Sequence, residues 1–456
     1  MTTDSDNKMQ KIMSLCKRRG FVFPGSEIYG GLANSWDFGP LGTELFNNIS
    51  SLWWKKFVTE RGDVVGVRGP IIMNSKVWEA SGHLQNFTDP LVECKICHSR
   101  FRADHEDELS MHASTHKDTP TTWTDPKNFN LLFKTFLGTV ESEQSVAYLR
   151  GELAQTMFTD FKIIASAGRY KLPFGIAQIG KAFRNEITTG NMIFRTKEFT
   201  IAEIEYFVKP GNEEKAFSSW LDFMDNFLIK EIGLASENLK HYEHPAESLA
   251  HYSKGTTDIL YKFPWDWSEL WGLASRTDFD LKNHEKLSGE NLKYRDAETN
   301  EEYWPYVVEP TGGLERLMLA VILDAYKEYP GGRKGTDQKV EGGTGEDAGV
   351  ETVLHLKPQL APFKVAVLPL SKKEELSSIA EPLAAQLRKH FATDYDETQS
   401  IGKRYRRQDE IGTPWCVTVD FETPQDNKVT VRDRDTMAQE RIAISELAEH
   451  ILKKLG

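Results

Sequence analysis

Residues 181–208, KAFRNEITTGNMIFRTKEFTIAEIEYFV, constrain this chain more than any other stretch. They read as a β-hairpin: a first strand over 182–187, a long polar loop, and a second strand over 197–208. Successive side chains on a strand point to opposite faces. One face of the second strand carries Thr200, Ala202, Ile204, Tyr206 and Val208, which suits a core. The other carries Phe199, Ile201, Glu203, Glu205 and Phe207, mixing apolar side chains with two carboxylates. That face suits neither open water nor a dry interior, because a buried charge needs a partner. Arg184 and Glu186 share a face of the first strand, and the loop adds Arg195 and Lys197. The hairpin thus offers cations for a phosphate, a ring for a base and carboxylates for an ammonium group.

The 456 residues predict two or three domains. A Gly-rich stretch, 25–42, opens a helix over 39–60, with Asp37 as its cap and Pro40 in its first turn. A strand over 64–73 follows, and Pro70 inside it marks a sheet edge. Helix and edge strand together suit a dimer interface or ordinary helix–sheet packing. A helix over 148–167 carries Arg150, Glu152 and Gln155. The segment 211–240 reads as helical, with Phe217, Trp220, Phe223 and Phe227 at core spacing. Strands are expected over 257–263, 270–275 and 303–308, then a helix over 314–326. Residues 328–350 are rich in Gly and charge and read as a flexible loop. From 358 onward strands alternate with helices, predicting a compact α/β module. The division is therefore 1–357 and 358–456, with insertions at 92–145 and 209–250.

No apolar run reaches membrane-spanning length, and residues 1–8 are polar with no signal-peptide core, so a soluble cytoplasmic protein is expected. Four cysteines are too few for a disulfide scaffold. Two of them, Cys94 and Cys97, have zinc-knuckle spacing. His112 and His116 follow, one helical turn apart. The four predict a Cys2His2 zinc site; the alternative is a knuckle without metal. The net charge of −12 means that any nucleic-acid contact must use a local basic patch. Lys403, Arg404, Arg406 and Arg407, with Arg432, Arg434 and Arg441, form the candidate, and Tyr405 and Trp415 could stack bases.

FRNEI at 183–187, RTKEF at 195–199 and EPTGGLER at 309–316 resemble motifs 2 and 3 of class II aminoacyl-tRNA synthetases. GGLANSWDFGPLG (30–42), VWEASGH (77–83), FRADH (101–105), RTDFDL (276–281) and SIGKRYRRQDEIGTPWCVTVDF (400–421) narrow the resemblance to the homodimeric, α2-type glycyl-tRNA synthetases. The resemblance spans essentially the whole chain in order. It implies an α+β fold: an antiparallel sheet flanked by helices, a dimer through the 39–60 helix and the Pro70 strand, and a C-terminal α/β anticodon-binding domain. It implies glycine–tRNA ligation with ATP and Mg2+, and tRNA(Gly) as partner.

Carried onto matching positions, the resemblance gives Arg184 the α-phosphate and the amino-acid carboxylate, with Asn185 beside it. Glu186 takes the adenine amino group, Phe194 and Phe199 the base, and Arg195 the triphosphate. Arg316, after Gly313, holds the γ-phosphate; Glu269, Leu270 and Glu309 lie near ribose and Mg2+. Glycine falls to Arg102, Glu152, Glu203, Glu309, Thr311 and Gly313. Two departures concern the pocket: the family's RPETAQ is RGELAQ here, and its motif 3 serine is Thr311. The alternatives are a same-fold synthetase for another small amino acid, or a non-catalytic nucleic-acid-binding relative. Retention of Arg184 and Arg316 argues against the second.

Overall fold

The computed structural model describes residues 4–116, 120–187, 190–245, 247, 249, 253–333 and 349–455. Its centre is a seven-stranded sheet. In chain order the strands are β1 (Val64–Gly66), β2 (Phe174–Phe183), β3 (Glu198–Val208), β4 (Leu239–Glu243), β5 (Gly255–Lys262), β6 (Trp267–Thr277) and β7 (Tyr306–Gly313). Their spatial order is β4-β5-β6-β7-β3-β2-β1. Every pairing is antiparallel except β1 with β2, and β1 sits at the edge.

β3 is buried on both faces, and its alternation is as the sequence predicts. Ala202, Ile204, Tyr206 and Val208 join the main core, with Trp53, Phe57, Trp220 and Phe227. Ile201 and Phe207 join a second core on the opposite face, with Leu153, Phe158 and Phe161. Two buried faces explain why so apolar a strand lies near the middle of the sheet. The aromatics of 217–227 pack as core, with Phe57 stacked on Trp53 at 4.8 Å and edge-on to Phe227 at 5.0 Å.

Several boundaries depart from expectation. β2 begins at Phe174 and ends at Phe183, so Arg184 and Glu186 lie beyond the strand rather than on one of its faces. The backbone N–H of Asn185 is taken by the Leu131 carbonyl at 2.8 Å, which draws the chain off the sheet. The helix after 39 is α2 (Pro40–Trp54), continued by a π turn over Lys55–Thr59; Gly39 is its N-cap, and no side chain caps it, Asp37 included. The edge strand shrinks to three residues, because the carbonyls of Gly69 and Pro70 bind the Arg150 guanidinium. The helix expected over 148–167 starts only at Ala154, as α3 (Ala154–Thr159). Arg150 and Glu152 therefore sit in an irregular entry segment that bends at 151 and 153. In the 211–240 region α4 (Glu213–Asn226) forms and passes into a π turn, and residues 239–243 become the outer strand of the sheet. The flexible-loop reading falls mainly on 334–348, outside the described residues, while Tyr326–Tyr329 pairs with Glu351–Leu354.

The C-terminal module is a five-stranded mixed sheet flanked by helices. Arg333 bridges Glu351 (2.9 Å) and Asp409 (2.6 Å), and Asp409 takes two hydrogen bonds from Arg432. With Arg18 and Arg19 of α1 (Asp4–Arg19) paired to Glu410, these contacts hold the module to the rest of the chain. No helix among the described residues is long and apolar enough to cross a membrane.

Candidate active site

The carboxylates of β3 open onto a cleft whose walls are β7, β6 and the segment 150–153. The register sets Glu203 opposite Thr311 on one side and Gln178 on the other. Glu203 is buried, and the Leu153 N–H donates to its Oε2 at 2.7 Å. Gly151 is packed closely, a Cβ there lying 3.0 Å from the Phe87 ring and 3.1 Å from Leu132. Glu152 lies next door, bound by Gln155 at 2.7 Å and close to His83 Nε2 at 3.3 Å. Arg276 is 1% exposed and donates to both oxygens of Asp280 (2.9 and 3.1 Å) and to Glu309 (3.1 Å); it lies 3.7 Å from Glu152.

The electrostatics divide these groups. Burial opposes ionisation of Glu152, but His83, Arg276 and the Gln155 hydrogen bond outweigh it and hold the carboxyl well below the usual range. Burial, then the charge of Glu309, pushes Glu203 well above that range, and the same two causes raise Glu205. One ligand oxygen from each of Glu203, Glu205 and Glu309 falls within 4.8 Å of the others. The Thr311 hydroxyl is enclosed and has no hydrogen-bond partner. Gly312 is pressed against Trp271, where a Cβ would lie 2.3 Å from the indole nitrogen, so only glycine fits there.

At the other end of the cleft, Arg184 lies between the Phe87 and Phe199 rings (5.2 and 5.6 Å) and donates to the Gly151 carbonyl at 3.1 Å. Glu186 meets Arg195 at 3.1 Å, and Asn185 accepts from Lys197 at 3.0 Å. Arg316, in the first turn of α6 (Leu314–Ala325) after the Gly313 N-cap, lies over the Phe194 ring at 4.7 Å and pairs with Glu269 at 3.1 Å. The charge of Arg316 is the main reason the Glu269 carboxyl sits below its usual range. The structure thus groups Arg184, Asn185, Glu186, Phe194, Arg195, Phe199, Glu269, Gly313 and Arg316 along one rim.

Some expected residues lie elsewhere. Arg102 pairs with Asp89 and Asp104 (3.0 and 2.7 Å) and feels the charge of Glu186, so it belongs beside the 184–195 turn rather than with Glu203. The Leu270 side chain is in the main core, leaving only its backbone for a ligand. Among the described residues Glu309 clusters with Glu203 and Glu205 and not with Glu269. His83, Arg276 and Asp280 received no role from sequence, although VWEASGH and RTDFDL contain them. An arginine at the end of a strand, four residues before an acid in a new helix, was the available signal.

In the insertion, Cys94 Sγ and His116 Nε2 are 3.5 Å apart, Cys97 Sγ and His112 Nε2 3.3 Å, and the two Nε2 atoms 3.2 Å. Tetrahedral zinc with ordinary Zn–S and Zn–N bonds places S and N about 3.5 Å apart and two N atoms about 3.3 Å apart. The four residues therefore fit such an ion. The basic patch of the C-terminal module does not assemble as predicted. Arg404, Arg432 and Arg434 are buried, Arg404 donating to the carbonyls of Pro369, Asp396 and Leu370. Arg407 is tied to Asp396, Arg441 to Asp420, and Trp415 is buried. Lys403 and Arg406 alone of the named α7 cations (Ile401–Ile411) remain exposed.

A seven-stranded sheet, antiparallel but for its edge strand, with an arginine-rimmed cleft and followed by a mixed α/β module, is the architecture of class II aminoacyl-tRNA synthetases. A solved prolyl-tRNA synthetase from Cryptosporidium parvum, complexed with halofuginone and AMPPNP, shares the fold with a TM-score of 0.63 over 100% of this chain and 76% of that one, at 15% identity. Residues 364–454 match the family described as anticodon binding domain. Glycine–tRNA ligases from Clostridium perfringens and Geobacillus thermodenitrificans are 50% and 51% identical, over 99% and 98% of both chains. That of Cutibacterium acnes is 48% identical over 99% of this chain and 97% of its own. The chain belongs to the glycine–tRNA ligase family.

Proposed function

We propose that the chain joins glycine to ATP as glycyl-adenylate and then transfers glycine to the 3′ end of tRNA(Gly), working as a homodimer in the cytoplasm. The observation that carries this reading is the juxtaposition, in one cleft, of buried Glu152 and Glu203 with Arg184 and Arg316 on the rim. The carboxylates hold the glycine ammonium. Arg184 bridges the glycine carboxylate and the α-phosphate, where negative charge gathers as the bond forms. Phe199 supports adenine, Glu186 its amino group, and Arg195 and Arg316 the outer phosphates. No general base is needed, because the glycine carboxylate is already an anion.

Mg2+ supplies phosphate neutralisation and uses few protein carboxylates. Glu269, half-exposed beside Arg316, suits it; Glu309, bound to Arg276, suits the amino-acid end instead. The Cys94, Cys97, His112 and His116 tetrad would hold a structural Zn2+. Purified protein should contain about one zinc per chain; less than about a tenth of an equivalent ends that assignment. Lys403 and Arg406 are the tRNA contacts this reading retains, and exposed Ile28, Tyr29 and Leu32 supply apolar surface for the dimer.

Glycine-dependent ATP–pyrophosphate exchange tests the whole. Glycine alone, among glycine, alanine, serine and proline, should drive exchange, and Arg184→Ala or Arg316→Ala should lower it about a hundredfold or more. Equal exchange with alanine would point to a different amino acid; none with any would point to a non-catalytic relative.

A further inference from the structure

β3 sends two carboxylates into the cleft, and the proposed reaction uses one. Glu205 is fully buried, and neither of its oxygens has a hydrogen-bond partner. The groups facing it come from three other elements as well as its own strand. Glu203 lies two residues back on β3, Glu309 on β7, Arg276 on β6 and Asp280 on α5 (Phe279–Ser288). Glu152 and His83 adjoin the same cluster. Among the described residues, these five buried carboxyl groups meet Arg276, His83, Arg150, whose charge acts on Glu203, and His284, which adjoins Asp280 and Glu152. Arg276 is already engaged by Asp280 and Glu309, and Arg150 by the carbonyls of Lys181, Gly69 and Pro70. Carboxylates this close cannot all ionise, since each charge disfavours the next and no water offsets it. Leu153 supplies Glu203 with a donor suited to the anion; Glu205 has no such donor.

We propose that Glu205 is a positioning residue that holds a proton while the pocket is empty, its oxygens unpartnered and within 4.8 Å of Glu203 and Glu309, and surrenders it when an ammonium group docks on Glu203. This rests on the glycine reading above. When glycine binds, a carboxyl O–H bond breaks, its electron pair stays on the carboxylate, and the proton passes to solvent. The arriving –NH3+ keeps its own protons and replaces the lost positive charge. The pocket thereby exchanges one cation for another, and its selectivity for an amine is built into its charge count.

Calorimetry of glycine binding to the full-length protein at pH 7, repeated in phosphate and Tris buffers, tests this. About one proton should be released per glycine bound, read from the dependence of heat on buffer ionisation enthalpy. The glycine Kd should fall by up to about tenfold per pH unit from pH 6 upward, until that proton is lost, while the KM for ATP stays flat. In Glu205→Gln the neutral amide has no proton to surrender, so proton release should drop towards zero with glycine still bound. Glycine binding without proton release in the wild-type protein would overturn the proposal and leave the ligase reading standing. An undiminished proton count in Glu205→Gln would also overturn it. If that variant fails to fold, the wild-type pH dependence decides: a flat glycine Kd refutes. Absence of glycine binding at every pH would instead remove the ligase reading.

Discussion

Arg276→Met is the most informative single perturbation. The guanidinium is 1% exposed and makes three hydrogen bonds, two to Asp280 and one to Glu309, with Glu152 at 3.7 Å. Methionine fills part of the volume but leaves Asp280 buried without a cation. Breaking such a buried pair costs about 3–5 kcal/mol. The destabilisation at pH 7.5 should therefore be about 4 kcal/mol. Ten of the eleven tryptophans precede residue 358, so guanidinium unfolding followed by tryptophan fluorescence reads the catalytic region. Adding Asp280→Asn to Arg276→Met should recover about 1–3 kcal/mol, because it removes the stranded charge. A loss below about 1 kcal/mol at pH 7.5 would refute the reasoning.

Four further outcomes are expected. Glu205 has its carboxyl raised by burial, then by Glu309, so the folded chain binds a proton that the unfolded chain releases above the ordinary Glu range. Its contribution to stability is present below that range and is lost as pH rises through the folded value; wild-type stability should decline from pH 6 to 9 more steeply than that of Glu205→Gln, and parallel profiles would disprove it. Arg404→Ala should lower unfolding stability by several kcal/mol, since three carbonyls lose a buried charged donor. Lys403→Ala and Arg406→Ala should leave stability unchanged and each reduce the salt dependence of tRNA binding by about one unit of slope. Thr311→Ala should raise the KM for glycine, because its hydroxyl is an enclosed donor with no partner inside the protein; unchanged glycine kinetics would sink that role.

Much of this was legible in the chain. The alternation of 199–208 is a local, period-two pattern, so it assigned the core face and the carboxylate face before any partner was known, and both assignments hold. The Cys–His spacing likewise foretold which four atoms would converge, because two of the three intervals are short, the Cys94–Cys97 knuckle and the single helical turn from His112 to His116. Helical spacing identified Phe217, Trp220, Phe223 and Phe227 as core.

Partnership was not legible. Arg404 and Arg406 look alike in RYRR, yet one is buried among carbonyls and the other faces water. Periodicity cannot tell a solvated arginine from one neutralised by carbonyls thirty residues away. Glu152 was placed on a helix because its neighbours suit one; the Glu203 carboxylate, fifty residues on, captures the Leu153 N–H, and the helix starts only at Ala154. The sequence by itself determined which chemical groups this protein owns and which strand face presents them, since those depend on covalent order and local geometry. Tertiary structure alone decided which carboxylates carry charge. Only the register of β3 against β7, and the reach of Arg276 from β6, set how many anions must share one cation.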